Sequence, residues 1–435
     1  MSPKRRRNRA ELPPSPVELA YPLAVPDATV LGAVILYDAP ESFALHVLRA
    51  VQLVFAWAAG PDASGAVFDA EDLDAWEVSV LRTRDVDEAL WAPVSVIAGE
   101  LARPSEVDPE RLAHACLAVS DWALGCDAHG TAVLFAEAAA VVWPNNARLA
   151  WIVGKLHREQ HQFGRAETWL RRASRVAVWT GDWELQAQAI NSLANLKVHL
   201  GDFAGGRELL LSAERLAKRR RLRERRAKVL HDLFVVSTYT GQFQDAEAHA
   251  TAAFSAYGPD HPDLINLAFD VSHFWKQQGQ FARALAVLKA LRGRFPDEDR
   301  QLRVLASTAR AAGAMGEVDT FHRAWTDAWA LLDRGVVDHL RAAAPLELGL
   351  GALSLGLWDY AEYALVTARD AAGELREGDT LAEAEASLDH LQRRHAADQS
   401  MLQTGAALRR SAGGFAAELA QSLNAQASVP APATD

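Results

Sequence analysis

The sequence predicts an all-α protein: a solenoid of about six or seven stacked helical hairpins, with a further helical region ahead of them. One observation is a turn-and-aromatic signature that returns at a nearly constant interval. A second is the amphipathic stretch of 12–16 residues before each copy. In Gln186–Leu200, for example, Ile190, Leu193, Ala194 and Leu196 stand at helical spacing. A third is composition: of 435 residues 50% are hydrophobic and 23% charged, which supplies a large core.

In chain order, residues 1–27 come first. They hold Lys4, Arg5, Arg6, Arg7 and Arg9 with six prolines, the composition of a mobile arm. No apolar stretch of leader length follows directly, so no signal peptide is expected. Residues 28–108 show helical patterns at Ser42–Ala59, Glu71–Leu81 and Pro93–Leu101. Pro93 suits a first helical position, and Pro104 lies just past the end. This region reads either as a small domain or as degenerate first repeats.

The hairpins occupy 109–375. The signature is a small or polar residue, an aromatic two positions on, and a small residue three further. It reads His161/Phe163/Ala166, Gly201/Phe203/Gly206, Gly241/Phe243/Ala246 and Gly279/Phe281/Ala284. Weaker copies are Gly316/Val318/Phe321 and Gly356/Trp358/Ala361. The middle positions lie 40, 40, 38, 37 and 40 residues apart. The glycine gives a helix stop where positive φ is cheap. The aromatic then opens a second helix, and the small residue one turn on lets the two approach. Such a hairpin cannot bury its own apolar stripe, so neighbours must stack.

With these residues in place, the pattern resembles the tetratricopeptide repeat. That family's Leu-Gly/Ala pair is matched by Val153-Gly154, Leu193-Ala194, Leu233-Phe234 and Leu348-Gly349. Its closing small residue is matched by Ala173 and Ala368, and its helix-ending prolines by Pro144 and Pro296. The loop Gly258–Asp263, with His261 eighteen residues before Gly279, is similar to the inter-repeat loop of long kinesin-light-chain-type repeats. Phe234, Ser272 and Thr308 depart from the pattern. The resemblance implies a right-handed superhelix that serves as a binding scaffold. Beyond it, residues 376–425 are expected to supply capping helices, with one at Leu381–Arg393, and 426–435 an Ala/Pro-rich disordered tail.

Candidate chemistry is sparse. His157 and His161 stand four apart, a zinc-ligand spacing, but without the His-Glu-x-x-His order. His114, Cys116, Cys126 and His129 are four possible metal ligands within sixteen residues, yet Cys116 falls on an apolar stripe. His261-Pro262-Asp263 matches a J-domain tripeptide, but inside a repeat array it reads as a loop. No phosphate loop, nucleophile elbow or dinucleotide turn occurs. Neither an enzyme, a metal nor a cofactor is expected. Two cysteines do not make a disulfide scaffold, and apolar runs of about ten residues fall short of a membrane span. Seven lysines against 38 arginines fit a GC-rich, bacterial source, and the protein is expected to be cytoplasmic.

Charge is unevenly placed. Residues 214–228 carry +7, through Arg215, Lys218, Arg219, Arg220, Arg221, Arg223, Arg225, Arg226 and Lys228 against Glu214 and Glu224. The net charge of the whole is −11. The run is either a solvated face or a docking site for a polyanion, and no aromatic interleaves it for base stacking.

In the resembled family the first helix of each hairpin lines the concave surface. The equivalent positions here include Arg148, Trp151, Lys155 and Arg158, then Asn191 and Asn195, then Lys228 and His231. Phe269, His273 and Lys276 follow, and then Arg303, Arg310 and Gly313. Of twenty such positions seven are Lys or Arg and none is acidic. The resemblance implies backbone capture by Asn191. The expected function is a non-enzymatic scaffold or adaptor holding an acidic, extended peptide or protein segment in a basic groove, with Trp151 and Phe269 as apolar anchors. The alternative is a peptide-sensing regulator with an N-terminal output region, contacting nucleic acid through Arg215–Lys228.

Overall fold

In the computed structural model, residues 33–59, 70–335, 338–392 and 414–427 are described. The predicted arm over 1–27 lies outside them, as does the predicted tail except its first two residues. Twenty α-helices and one short 3-10 turn make up the described residues, with no strand among them.

The chain divides into two compact units, 1–229 and 230–435. In the first, α1 (Ala33–Asp38), α2 (Ala44–Ala59), α3 (Ala70–Arg82) and α4 (Glu88–Leu101) precede α5 (Pro109–Gly125) and α6 (His129–Val142). Then come α7 (Ala147–Glu159), α8 (Phe163–Thr180), α9 (Trp183–His199), α10 (Phe203–Arg220) and the start of α11 (Arg223–Tyr239). The described residues of 33–101 are not set apart. Their buried Ile35, Phe43, Leu73 and Leu90 belong to one apolar cluster with Phe135, Val153 and Ala189. Thr131 Oγ1 on α6 donates to Asp38 Oδ2 at 2.6 Å, tying the end of α1 to the hairpins.

The helix expected from Pro93 begins five residues earlier, at Glu88. Asp87 is the reason: its carboxylate accepts from Ala89 N–H and caps the helix, and Pro93 is carried inside. Similar carboxylate caps start α5 at Asp108 and α9 at Asp182.

The second unit continues with α12 (Phe243–Tyr257), α13 (Leu264–Gln277), α14 (Phe281–Leu291), α15 (Glu298–Met315) and α16 (Val318–Leu332). After the 3-10 turn Asp338–Leu340 come α17 (Ala343–Ser354), α18 (Trp358–Leu375), α19 (Gly378–Gln392) and α20 (Phe415–Ala427). The second helix of each predicted hairpin begins on the signature residue: Phe163, Phe203, Phe243, Phe281, Val318 and Trp358. The turn before it is left-handed, as at Gly201 (φ 82°), and His161 holds the same region at φ 58°. The small residue is buried where it was expected; a Cβ on Gly206 would come within 2.6 Å of Val198 Cγ2.

One element departs from a continued stack. α19 packs on α18 as a cap would, but α20 lies against α14 and α13. Its Ala416, Leu419 and Leu423 are fully or nearly buried, and their spacing of three and four presents one apolar stripe. No helix among the described residues is long and apolar enough to cross a membrane.

Candidate functional site

The second unit contains a cavity of about 570 Å³. Its walls come from α11, α13, α15 and α17, the first helices of four hairpins, together with Leu340 of the 3-10 turn. Phe234, Phe269, Phe274, Leu340 and Leu346 make it apolar, and His273, Lys276, Arg303, Asp270 and Glu347 supply the polar groups. Mixed lining of this kind, over this volume, is what a ligand pocket requires.

Lys276 is buried, and its Nζ lies 2.5 Å from Glu347 Oε1 and 3.2 Å from Ser307 Oγ. The ammonium is therefore neutralised within the fold. Arg303 is half-exposed at the wall and donates to Asp299 Oδ2 at 3.0 Å, one turn back on α15. His273 is held below the ordinary histidine value, first by partial desolvation and then by the Lys276 charge, against the carboxylates of Glu347 and Asp270. It stands within hydrogen-bond distance of Gln277 Nε2.

Phe269, His273, Lys276 and Arg303 thus share one cavity, and His231 and Arg310 stand outside it. His231 Nε2 is 2.8 Å from Asp270 Oδ2 and belongs to the wall behind. Arg310 donates to Leu350 O at 3.0 Å and Ser354 Oγ at 3.3 Å, crossing from α15 to α17. Burial holds its guanidinium below the usual arginine value, and Glu347 and Glu383 oppose that. Its role is to join helices. Asp270 and Glu347 were missed in the sequence because the counted register skips them. Each stands nine residues before its turn glycine, beside a counted position, and each brings a carboxylate into a lining read as purely basic.

In the first unit, Arg148, Trp151, Lys155 and Arg158 lie on α7, and Asn191 and Asn195 on α9. Trp151 Nε1 donates to Ser192 Oγ at 2.9 Å, which fixes the indole between the two helices. Lys155 lies 3.6 Å from Glu159, and Lys228 2.9 Å from Glu224, each one turn away. Arg148 and Arg158 ion-pair with no carboxylate among the described residues.

The metal candidates do not converge. Among the described residues no group of three His, Cys, Asp or Glu side chains could hold a metal ion. His157 is fully buried between Glu137 and Gln162, at 2.8 and 3.0 Å. His161 turns instead toward the rings of Phe163 and His199. Cys116 is buried, Cys126 is exposed, His114 lies edge-on to Trp143 and His129 pairs with Asp127. The His261-Pro262-Asp263 tripeptide is the turn into α13: the His261 ring lies tilted against Tyr257, centroids 4.5 Å apart, and accepts from Asp263 N–H through Nδ1 at 3.1 Å.

The basic run is the junction of α10 and α11. Arg225 reaches Gln188 at 3.0 Å and Arg226 reaches Glu214 at 2.7 Å. Arg220 lies over the Trp183 ring at 3.8 Å. Lys218, Arg219, Arg221 and Arg223 are exposed.

No family model matches the chain, and no curated protein does. Among solved structures, the apo form of RapI is similar at 11% identity and TM-score 0.49, over 76% of this chain and 99% of that one. A Rap protein complexed with competence and sporulation factor is 13% identical at TM-score 0.41, over 84% and 99%. A kinesin-light-chain structure of nearly identical TPR-like repeats from Podosopora anserina is 17% identical at TM-score 0.37, over 44% and 98%. By its own geometry of left-handed turn, aromatic helix start and buried small residue, the fold is an all-helical array of tetratricopeptide-like hairpins.

Proposed function

We propose that this protein is a non-catalytic scaffold that binds an extended segment of a partner protein, seating an apolar side chain of that segment in the cavity of the second unit. The observation that carries the reading is the cavity itself. First helices of four successive hairpins contribute to it, its floor is aromatic and aliphatic, and Arg303 and His273 stand at its polar side. An acidic residue next to the seated side chain would meet the Arg303 guanidinium, which remains half-exposed despite Asp299.

The regulator reading with a separate output region has less support, because residues 33–101 share a core with the hairpins and α3 opens on Glu71 and Asp72.

The test is selection of a displayed random peptide library on the full chain. Enriched peptides should combine an apolar residue with Asp or Glu and lose affinity on Val235→Trp, which puts an indole at a lining residue of the cavity on α11, and on Arg303→Glu. Enriched peptides that bind both variants as well as the parent would remove the cavity from the function.

A further inference from the structure

The turn between α10 and α11 holds a charge cluster that the cavity does not use. Arg215, Lys218, Arg219, Arg220, Arg221 and Arg223 are all exposed there. Among the described residues Arg215, Lys218, Arg219 and Arg221 ion-pair with no carboxylate. This is notable in a chain whose acids outnumber its bases 56 to 45. Some exposed arginines elsewhere find a partner, as Arg171 does in Glu167 and Arg334 in Glu298, while Arg148, Arg165 and Arg175 ion-pair with no carboxylate among the described residues, so what sets this turn apart is the clustering of its unpaired cations. Within the same run Arg225 and Arg226 turn inward onto Gln188 and Glu214. Helix electrostatics accounts for part of the rest, since Lys218, Arg219 and Arg220 occupy the last turn of α10, where cations offset the helix dipole. Arg221, the C-cap residue, stands at the same helix end, and Arg215, more than a turn earlier, is left outside that account.

We propose that this turn docks the phosphate backbone of double-stranded nucleic acid. Guanidinium forks match phosphate oxygens two at a time, and the cations here are almost all arginine. Four of them lack an internal counter-charge, so the local potential stays positive although the chain as a whole is −11. The surface is an exposed corner between two helices. A duplex can lay a continuous line of phosphates against a corner, whereas an acidic peptide needs a groove to lie in. The Trp183 ring beside the cluster is covered by Arg220 at 3.8 Å and so is no open platform for stacking unpaired bases. Contact is therefore with the backbone and independent of base sequence.

The experiment is fluorescence anisotropy of a labelled DNA duplex of about 20 base pairs with the full chain, titrated at about 50 to 200 mM salt. Binding is expected to weaken with salt along a log–log slope of about −4, from about −0.9 for each of four neutralised phosphates. The R219E/R221E variant should lose at least about tenfold in affinity at unchanged circular dichroism, while R219K/R221K keeps most of it. Val235→Trp, in the cavity, should bind the duplex like the parent. Three results would overturn the proposal: no duplex binding at the lowest salt, equal affinity after charge reversal, or displacement of the duplex by a poly-glutamate peptide at lower concentration than by unlabelled duplex. The last would assign the turn to an acidic protein.

Discussion

Gly313 and Gly351 meet backbone to backbone where α15 crosses α17. A Cβ on Gly351 would lie 2.6 Å from Ala309 O and 2.9 Å from its carbonyl carbon. One on Gly313 would run into the Gly351 carbonyl. Neither obstacle is a side chain that can swing aside. The two first helices are therefore closer here than any side chain allows, and Gly313, a groove position in the sequence pattern, has no groove in front of it.

Gly351→Ala is accordingly expected to destabilise the second unit by about 2–3 kcal/mol, the usual cost of overpacking against an unyielding neighbour. Gly373→Ala is the matched control: nothing lies within 4 Å of its Cβ, so helix propensity alone should make it neutral or slightly stabilising. Urea unfolding of both variants decides the matter. Equal midpoints would mean that the helices part at no cost.

His157 and Glu137 form a buried pair in the first unit, Nε2 to Oε1 at 2.8 Å, with side-chain exposures of 0% and 3%. Removing one partner takes from the other, away from water, a contact that water cannot replace. His157→Leu should cost about 3–5 kcal/mol, and the double variant with Glu137→Leu distinctly less than the two single losses added. A double-mutant cycle that closes additively would show the pair to be two independent packing groups.

The two cysteines should differ sharply in reactivity. Burial pushes the Cys116 thiol well above its ordinary value, and Cys126 is exposed. A maleimide at mildly alkaline pH should label one thiol in the native protein and two after denaturation. The sign for stability follows: above about pH 8.5 the unfolded chain gives up a proton that folded Cys116 keeps, so stability falls as pH rises. Cys116→Ala should flatten that alkaline slope. Rapid labelling of both thiols in native buffer would contradict the packing.

Much of the fold was legible because its signals are local. Each turn glycine and the aromatic two positions later act within one helix end, and a 40-residue ruler suffices to find them. One miss was itself local: Pro93 reads as a helix start, but the carboxylate of Asp87 caps the helix and sets its beginning at Glu88, five residues before the proline. Another depends on a partner distant in sequence. The return of α20 onto α14 is set by an apolar stripe whose docking surface lies more than a hundred residues earlier. The cavity lining was half legible. Phe269, His273, Lys276 and Arg303 followed from the register, but Asp270 and Glu347 did not. The assumption of a basic groove therefore overlooked the carboxylate that neutralises Lys276.

The last prediction concerns His273, whose charge decides how an acidic ligand sees the cavity. Desolvation, and then the Lys276 ammonium, lower its proton affinity; Glu347 and Asp270 oppose them without prevailing. The ring is thus neutral at neutral pH, and the mouth then has Arg303 as its exposed cation. As pH falls below the ordinary histidine value, His273 gains a proton and adds a second positive charge to the cavity wall. Affinity for an acidic peptide should therefore rise as pH falls, with a midpoint below the ordinary histidine value of about 6.5. His273→Asn should remove that rise while leaving affinity near pH 7.5 within about twofold, because the replaced ring was neutral there. Isothermal titration across the range provides the measurement. Peptide affinity that stays flat in the parent, or that rises equally in His273→Asn, would place the peptide's carboxylates away from this wall.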